Sequence, residues 1–226
     1  MDPEICSTAY QGDTAKIIEI LDKSPEKINS VDEDSRSPLI CACSGNHKST
    51  VELLLKRGAN LDSEDEWYYS LFLIYISSGY LDIITVLLEK KPNVNAQNTS
   101  GQTCLHYAAS KNHPEICQIL LEHGADPLLT NFIGQTALHR AAARGANGVI
   151  QVLLNSNKIK PSSLINRKDS VGNTPLHLAC EENLADTCTL LIELGSDIHT
   201  TNKEQLTPFD LCTDPKVKAH LSKHLD

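Results

Sequence analysis

Long apolar runs are missing from this chain, and no stretch approaches the roughly 20 residues that a membrane-spanning helix needs. Basic residues are in deficit: 20 Lys and Arg stand against 29 Asp and Glu, a formal charge of −9. Phosphate contacts need clustered cations, so this balance argues against nucleic acid and favours a partner with a basic face. The start, Met1-Asp2-Pro3-Glu4, has neither the basic nor the apolar region of a secretory signal, and a soluble intracellular protein is expected. Eight cysteines are present, yet no C-x-x-C pair occurs. Without ligand spacing no metal or other cofactor is predicted, and reduced cysteine is expected to serve as a small buried hydrophobe. No serine or cysteine nucleophile stands beside a base, and no glycine-rich phosphate loop appears, so no catalytic site is predicted. Linkers and low-complexity segments are absent as well.

What the chain does have is periodicity. Thr-Pro-Leu-His at Thr174–His177 recurs as Thr-Ala-Leu-His from Thr136 and Thr-Cys-Leu-His from Thr103. Weaker copies begin at Ser37 and Thr207, and Ser70-Leu71-Phe72-Leu73 falls in phase. The step between anchors is 33 residues, with one step of 38. Thr or Ser at the anchor is a good helix N-cap, and proline after it gives up an N–H that would be unpaired anyway. Leu39, Leu105, Leu138 and Leu176 then point inward, followed by small pairs such as Ala108-Ala109 and Ala141-Ala142. Nine residues past each anchor stands Asn46, Gly79, Asn112, Gly145 or Asn183, with Gly12 in the same place in a degenerate first copy. These residues tolerate the left-handed backbone that ends a helix. A second helix follows, marked by pairs such as Leu54-Leu55, Leu87-Leu88 and Leu120-Leu121, and stops at Gly58, Gly124, Asn157 and Gly195. Lys91 breaks that rule, so the third outer helix is expected to end differently.

A 33-residue period carrying T-P-L-H resembles the ankyrin repeat. The fold class expected is therefore all-α: an ankyrin-repeat solenoid of seven stacked helix-turn-helix repeats with projecting finger hairpins and capped ends. A single domain over 1–226 divides approximately at 1–34, 35–67, 68–100, 101–133, 134–171, 172–204 and 205–226. The extra five residues fall within Asn155–Lys168, a surface insertion between an outer helix and a finger. In such arrays the face between inner helices and fingers recognises partners. Position five of the inner helices places Ile74, Tyr107 and Arg140 there, positions eight and nine add Lys111, Arg144, Glu181 and Glu182, and finger tips add Asp34, Arg36, Glu66, Trp67 and Tyr69.

His106, His139 and His177 share one phase with Thr103, Thr136 and Thr174. Stacked repeats lie about 10 Å apart, too far for two imidazoles to share an ion. Each imidazole is expected instead to bond its own anchor hydroxyl and nearby backbone, tying repeat to repeat. Leu178-x-Cys180-x-Glu182 matches L-x-C-x-E, a motif read in extended form by retinoblastoma-type pocket proteins; here it falls within an inner helix.

A closer resemblance rests on Gly101-Gln102-Thr103-Cys104-Leu105-His106-Tyr107-Ala108-Ala109-Ser110-Lys111-Asn112, on Leu138–Ala143, on Gly172–Cys180 with Glu181-Glu182, and on Asp34-Ser35-Arg36 and Asn202-Lys203-Glu204. Together they resemble the gankyrin family along the whole chain. That resemblance implies a monomeric, non-catalytic assembly chaperone of the 26S proteasome regulatory particle, in cytoplasm and nucleus. Its partner would be the C-terminal domain of a base AAA ATPase subunit. Asp34, Glu66, Glu181 and Glu182 would meet basic side chains, Arg36, Lys111, Arg140 and Arg144 acidic ones, while Tyr69 and Tyr107 would supply apolar contact. An ankyrin inhibitor or adaptor of a kinase or transcription factor would use the same face. Repeat three departs from the pattern, with bulky Tyr75 and Ile76 where small residues are usual, and Cys41 replaces an aromatic.

Overall fold

The computed structural model describes residues 2–60, 73, 75, 76, 78–156 and 160–222. Among them the regular structure is helical, with no strand. Helices come in pairs: α1 (Pro3–Gln11) with α2 (Thr14–Lys23), then α3 (Pro38–Ser44) with α4 (Lys48–Lys56). After α5 (Leu81–Leu88) the pairs are α6 (Cys104–Ser110) with α7 (Pro114–Glu122), and α8 (Ala137–Ala142) with α9 (Asn147–Leu154). Beyond the short α10 (Ser162–Ile165) come α11 (Pro175–Glu181) with α12 (Ala185–Glu193), and α13 (Pro208–Leu211) with α14 (Pro215–Leu221). The chain forms two compact units, Met1–Pro92 and Asn93–Asp226.

Short inner helices stack through their small residues. In the second unit α6 packs on α8, α8 on α11 and α11 on α13; in the first, α1 packs on α3. Ala108, Ala109, Ala141, Ala142 and Ala179 are fully buried, as are Leu105, Leu138 and Leu176, so backbones approach closely. All eight cysteines are free thiols and buried. Burial pushes Cys43 and Cys117 up to about 12, which keeps them protonated packing groups. Tyr75 and Ile76 are buried rather than excluded. Tyr75 lies against Cys43 and donates its hydroxyl to the Ile40 carbonyl at 3.3 Å. The small thiols of the second repeat leave the volume that the third repeat's tyrosine fills.

Left-handed backbone appears nine residues after the anchors, at Asn46, Gly79, Asn112, Gly145 and Asn183, and at Gly12. Outer helices stop the same way at Gly58, Gly124 and Gly195; Asn157 lies outside the described residues. Lys91 corrects the expectation for repeat three: its φ is 56°, so this helix ends like the others, with lysine accepting the left-handed turn. The amide of Lys91 bonds the Leu88 carbonyl at 2.9 Å, and that turn outweighs the roughly 1–2 kcal/mol the conformation costs a non-glycine residue. The insertion is less superficial than expected, because α10 buries Leu164 and Ile165.

Candidate partner-binding face

Among the described residues each finger is built on one side chain five residues before its anchor. Asp32, Asn98, Asn131, Asp169 and Asn202 each accept two backbone N–H groups through Oδ1, from residues two and four positions on. Asx side chains hydrogen-bond local backbone in this way, which bends the chain into a tight loop. Two residues before the anchor the backbone turns left-handed at Ser35, Gly101, Gly134, Gly172 and Gln205. In the second unit neighbouring fingers are also joined main chain to main chain. Phe132 N–H donates to Ser100, Ser170 to Ile133, and Lys203 to Val171, at 3.2, 3.0 and 3.0 Å. A Cβ on Gly134 would sit 2.7 Å from Ser170 N, so that glycine is required by its neighbour as well as by its φ of 78°. Sequence reasoning missed both devices, although Asx residues at a 33-residue step were there to be read. It also missed Phe132, Ile133 and Val171, which stand 73%, 53% and 54% exposed on adjoining tips.

The anchors are linked to these fingers. Thr103 N–H and His106 Nδ1 are 3.1 Å apart and the Thr103 hydroxyl is 2.8 Å from the same nitrogen; His106 Nε2 lies 2.9 Å from the Gln135 carbonyl. Thr136 and His139 repeat this toward Asn173, and Thr174 and His177 toward Leu206, with Nε2 at 3.1 Å in both. Because a backbone N–H points at Nδ1, the network assigns the lone pair there and the proton to Nε2, which donates to the next finger. Each neutral imidazole thus caps its own helix and holds the following loop. Burial lowers the affinity of all three for a proton, taking His139 down to about 4. At Thr207 the same position is filled by Asp210, an exposed carboxylate that accepts from the Thr207 hydroxyl at 2.6 Å.

Of the side chains expected to meet a partner, Glu66, Trp67, Tyr69 and Ile74 lie outside the described residues. In the first unit Asp34 and Arg36 are exposed but engaged: the Arg36 guanidinium sits 2.9 Å from Asp32 and 3.0 Å from Asp34. In the second unit Lys111, Arg144, Glu181 and Glu182 are exposed, and Tyr107 and Arg140 are half-buried. Among the described residues none of these five charged groups forms an ion pair. Arg140 Nε is buried and has no hydrogen-bond partner. Burial, then the nearby Arg144 cation, weaken its hold on the proton, while Tyr107 lies close enough to oppose this; an arginine still stays charged. The Tyr107 hydroxyl accepts from Asn98 Nδ2 at 3.0 Å, which fixes the ring beside the finger. Leu178 and Cys180 are buried within α11 while Glu181 and Glu182 are exposed, so the L-x-C-x-E stretch is not extended.

Paired short helices with loop fingers and an uncommitted, mixed-charge surface define a repeat protein of the protein-interaction class. Residues 5–98 and 128–202 match the family described as Ankyrin repeats (3 copies), and residues 87–141 match Ankyrin repeats (many copies). The chain belongs to the ankyrin-repeat family. Among curated proteins it is similar to protein phosphatase 1 regulatory subunit 27 of Homo sapiens, 40% identical over 60 residues, and to that of Mus musculus, 38% identical over 60 residues. Those 60 residues are 26% of this chain and 38% of the length of each relative.

Proposed function

We propose that this chain is a non-catalytic assembly chaperone of the 26S proteasome regulatory particle. It would hold the C-terminal domain of a base AAA ATPase subunit against its inner-helix face and delay docking on the core particle by occupying that subunit. The observation that carries this reading is the uncommitted charge on the second unit. Lys111, Arg140, Arg144, Glu181 and Glu182 stand at positions five, eight and nine of successive inner helices, carry both signs, and form no ion pair among the described residues. Mixed charge of this kind sets the register and orientation of a partner more than raw affinity. The family whose pattern these residues resemble uses them on a helical ATPase domain. The action is steric and needs no bond chemistry; cytoplasm and nucleus follow as its compartments.

A second reading is favoured by the 60-residue likeness to a phosphatase regulatory subunit: an adaptor or inhibitor that docks on a signalling enzyme. Co-purification from native lysate, read by mass spectrometry, separates the two. Base ATPase subunits in stoichiometric amounts support the chaperone. A protein phosphatase 1 catalytic subunit or a kinase, without base ATPases, overturns it.

A further inference from the structure

One side-chain cluster in the first unit plays no part in that recognition. Cys6 on α1, Asp32 at the base of the first finger and Cys41 on α3 are all buried, and their two Sγ atoms and one carboxylate oxygen lie within 4.8 Å of one another. The Cys41 thiol donates to Asp32 Oδ2 at 3.8 Å, and the Cys6 thiol donates to the Arg36 carbonyl at 3.3 Å. Asp32 divides its two oxygens between two tasks. Oδ1 accepts the backbone N–H groups of Asp34 and Arg36 at 3.0 and 2.9 Å, while Oδ2 faces the thiols and the Arg36 guanidinium.

We propose that Cys6, Cys41 and Asp32 bind a thiophilic divalent cation of the zinc type, with two thiolates and Asp32 Oδ2 as its protein ligands. Soft sulfur donors with one carboxylate suit such an ion and give poor sites for calcium or magnesium. Two thiolates and a carboxylate leave the loaded cluster one negative charge in excess of the divalent ion, and the adjacent Arg36 guanidinium, shared with Asp34, offsets that charge in part. The outer shell is already built, since the backbone N–H groups on Oδ1 would hold the ligating carboxylate in place. Arg36 would give up Oδ2 yet keep Asp34, 3.0 Å away, as its counter-ion. The Arg36 carbonyl beside Cys6 is positioned to complete four-coordination, or a water does so. Sequence spacing hides such a site because its ligands come from three separate elements. A different thiol pair, Cys180 and Cys188, has its sulfurs 3.5 Å apart, but among the described residues no His, Asp or Glu converges with it. Binding releases two thiol protons. Affinity should therefore rise with pH.

The test is titration of the full chain, reduced and stripped with chelator, first with Co²⁺ and then with Zn²⁺. Expected are one cobalt per chain, thiolate-to-cobalt charge-transfer absorption, and loss of that absorption when zinc displaces the cobalt. Cys6→Ser and Cys41→Ser should each abolish it, and Cys180→Ser should leave it unchanged. Asp32→Asn keeps an oxygen for the finger's N–H groups and should weaken cobalt at least about tenfold. Should a cysteine variant fail to fold, zinc-edge X-ray absorption on the unmutated chain decides: two sulfur scatterers at about 2.3 Å support the site. Absence of stoichiometric binding, a shell with no sulfur or with four, or absorption lost only in Cys180→Ser overturns it.

Discussion

The two compact units solve one problem in different ways. In Met1–Pro92 the seven ion pairs of the described residues are all found, among them Arg57 with Asp22 and Lys27 with Asp2, and repeats are joined by individual side-chain contacts such as His47 Nε2 to the Tyr10 carbonyl at 2.9 Å. In Asn93–Asp226 no ion pair forms among the described residues; three threonine–histidine links and three finger-to-finger backbone bonds recur at one phase. Once neutral, buried imidazoles and main chain hold the repeats together, surface charges are not needed for stability and remain uncommitted. Exposed ion pairs contribute little in any case, so the second unit gives up almost nothing by leaving its charges open.

The contrast can be broken by substitution. His139→Ala should cost about 3 kcal/mol, because it orphans the buried Thr136 cap and the Asn173 carbonyl as well as removing packing. His47→Ala, at a largely exposed bond, should cost about 1 kcal/mol or less. Chemical denaturation of both variants measures the pair, and equal losses would refute the distinction.

Acid should act on one unit before the other. A histidine whose folded pKa is depressed binds its proton more readily when unfolded. Its contribution is present above about pH 6.5 and is lost as pH falls toward the folded value. For His139 that window runs from about 6.5 to about 4 and amounts to on the order of 3 kcal/mol, with His106 and His177 adding in the same direction. In the first unit the lowered groups are carboxylates: Asp2, held down by its bond to Lys27, Glu19, held down by its bond to Lys23, and Asp32, held down by backbone N–H bonds from Arg36. Their contribution persists until pH falls below the ordinary carboxylate range. Hydrogen exchange at pH 7 and pH 5 should therefore show protection falling across the second unit's inner helices while α1–α4 hold.

Gly134→Ala should destabilise by about 2 kcal/mol, since both its φ and the Ser170 backbone oppose a side chain. Gly58→Ala meets open space and should cost about 1 kcal/mol from backbone strain alone. The smallest effect expected is from Arg57→Ala, under about 0.5 kcal/mol despite a 2.7 Å contact with Asp22.

Much of this was legible beforehand. The anchors, inward leucines, small pairs and left-handed stops follow from local chemistry at a fixed period, and each position declares itself by residue type. Lys91 did not, because a hydrogen-bonded turn imposed a conformation that lysine does not prefer. Nor did the pairing of Arg36, which depends on Asp32 being bent back by its own finger. Exposure on the candidate face could be inferred from phase; whether a charge there is already neutralised could not, because that depends on side-chain geometry across repeats. Tyr75 looked like a packing fault in one repeat and is explained by small thiols in the repeat before it.

On the proposed function, the second unit's unpaired charges serve recognition and not stability. The most direct measurement is the affinity of the Glu181→Lys, Glu182→Lys double variant for a base ATPase C-terminal domain, beside its melting temperature. A loss of affinity of at least about tenfold with the melting temperature unchanged is the predicted result. Unaltered affinity, or a melting temperature that falls in step with binding, would contradict it.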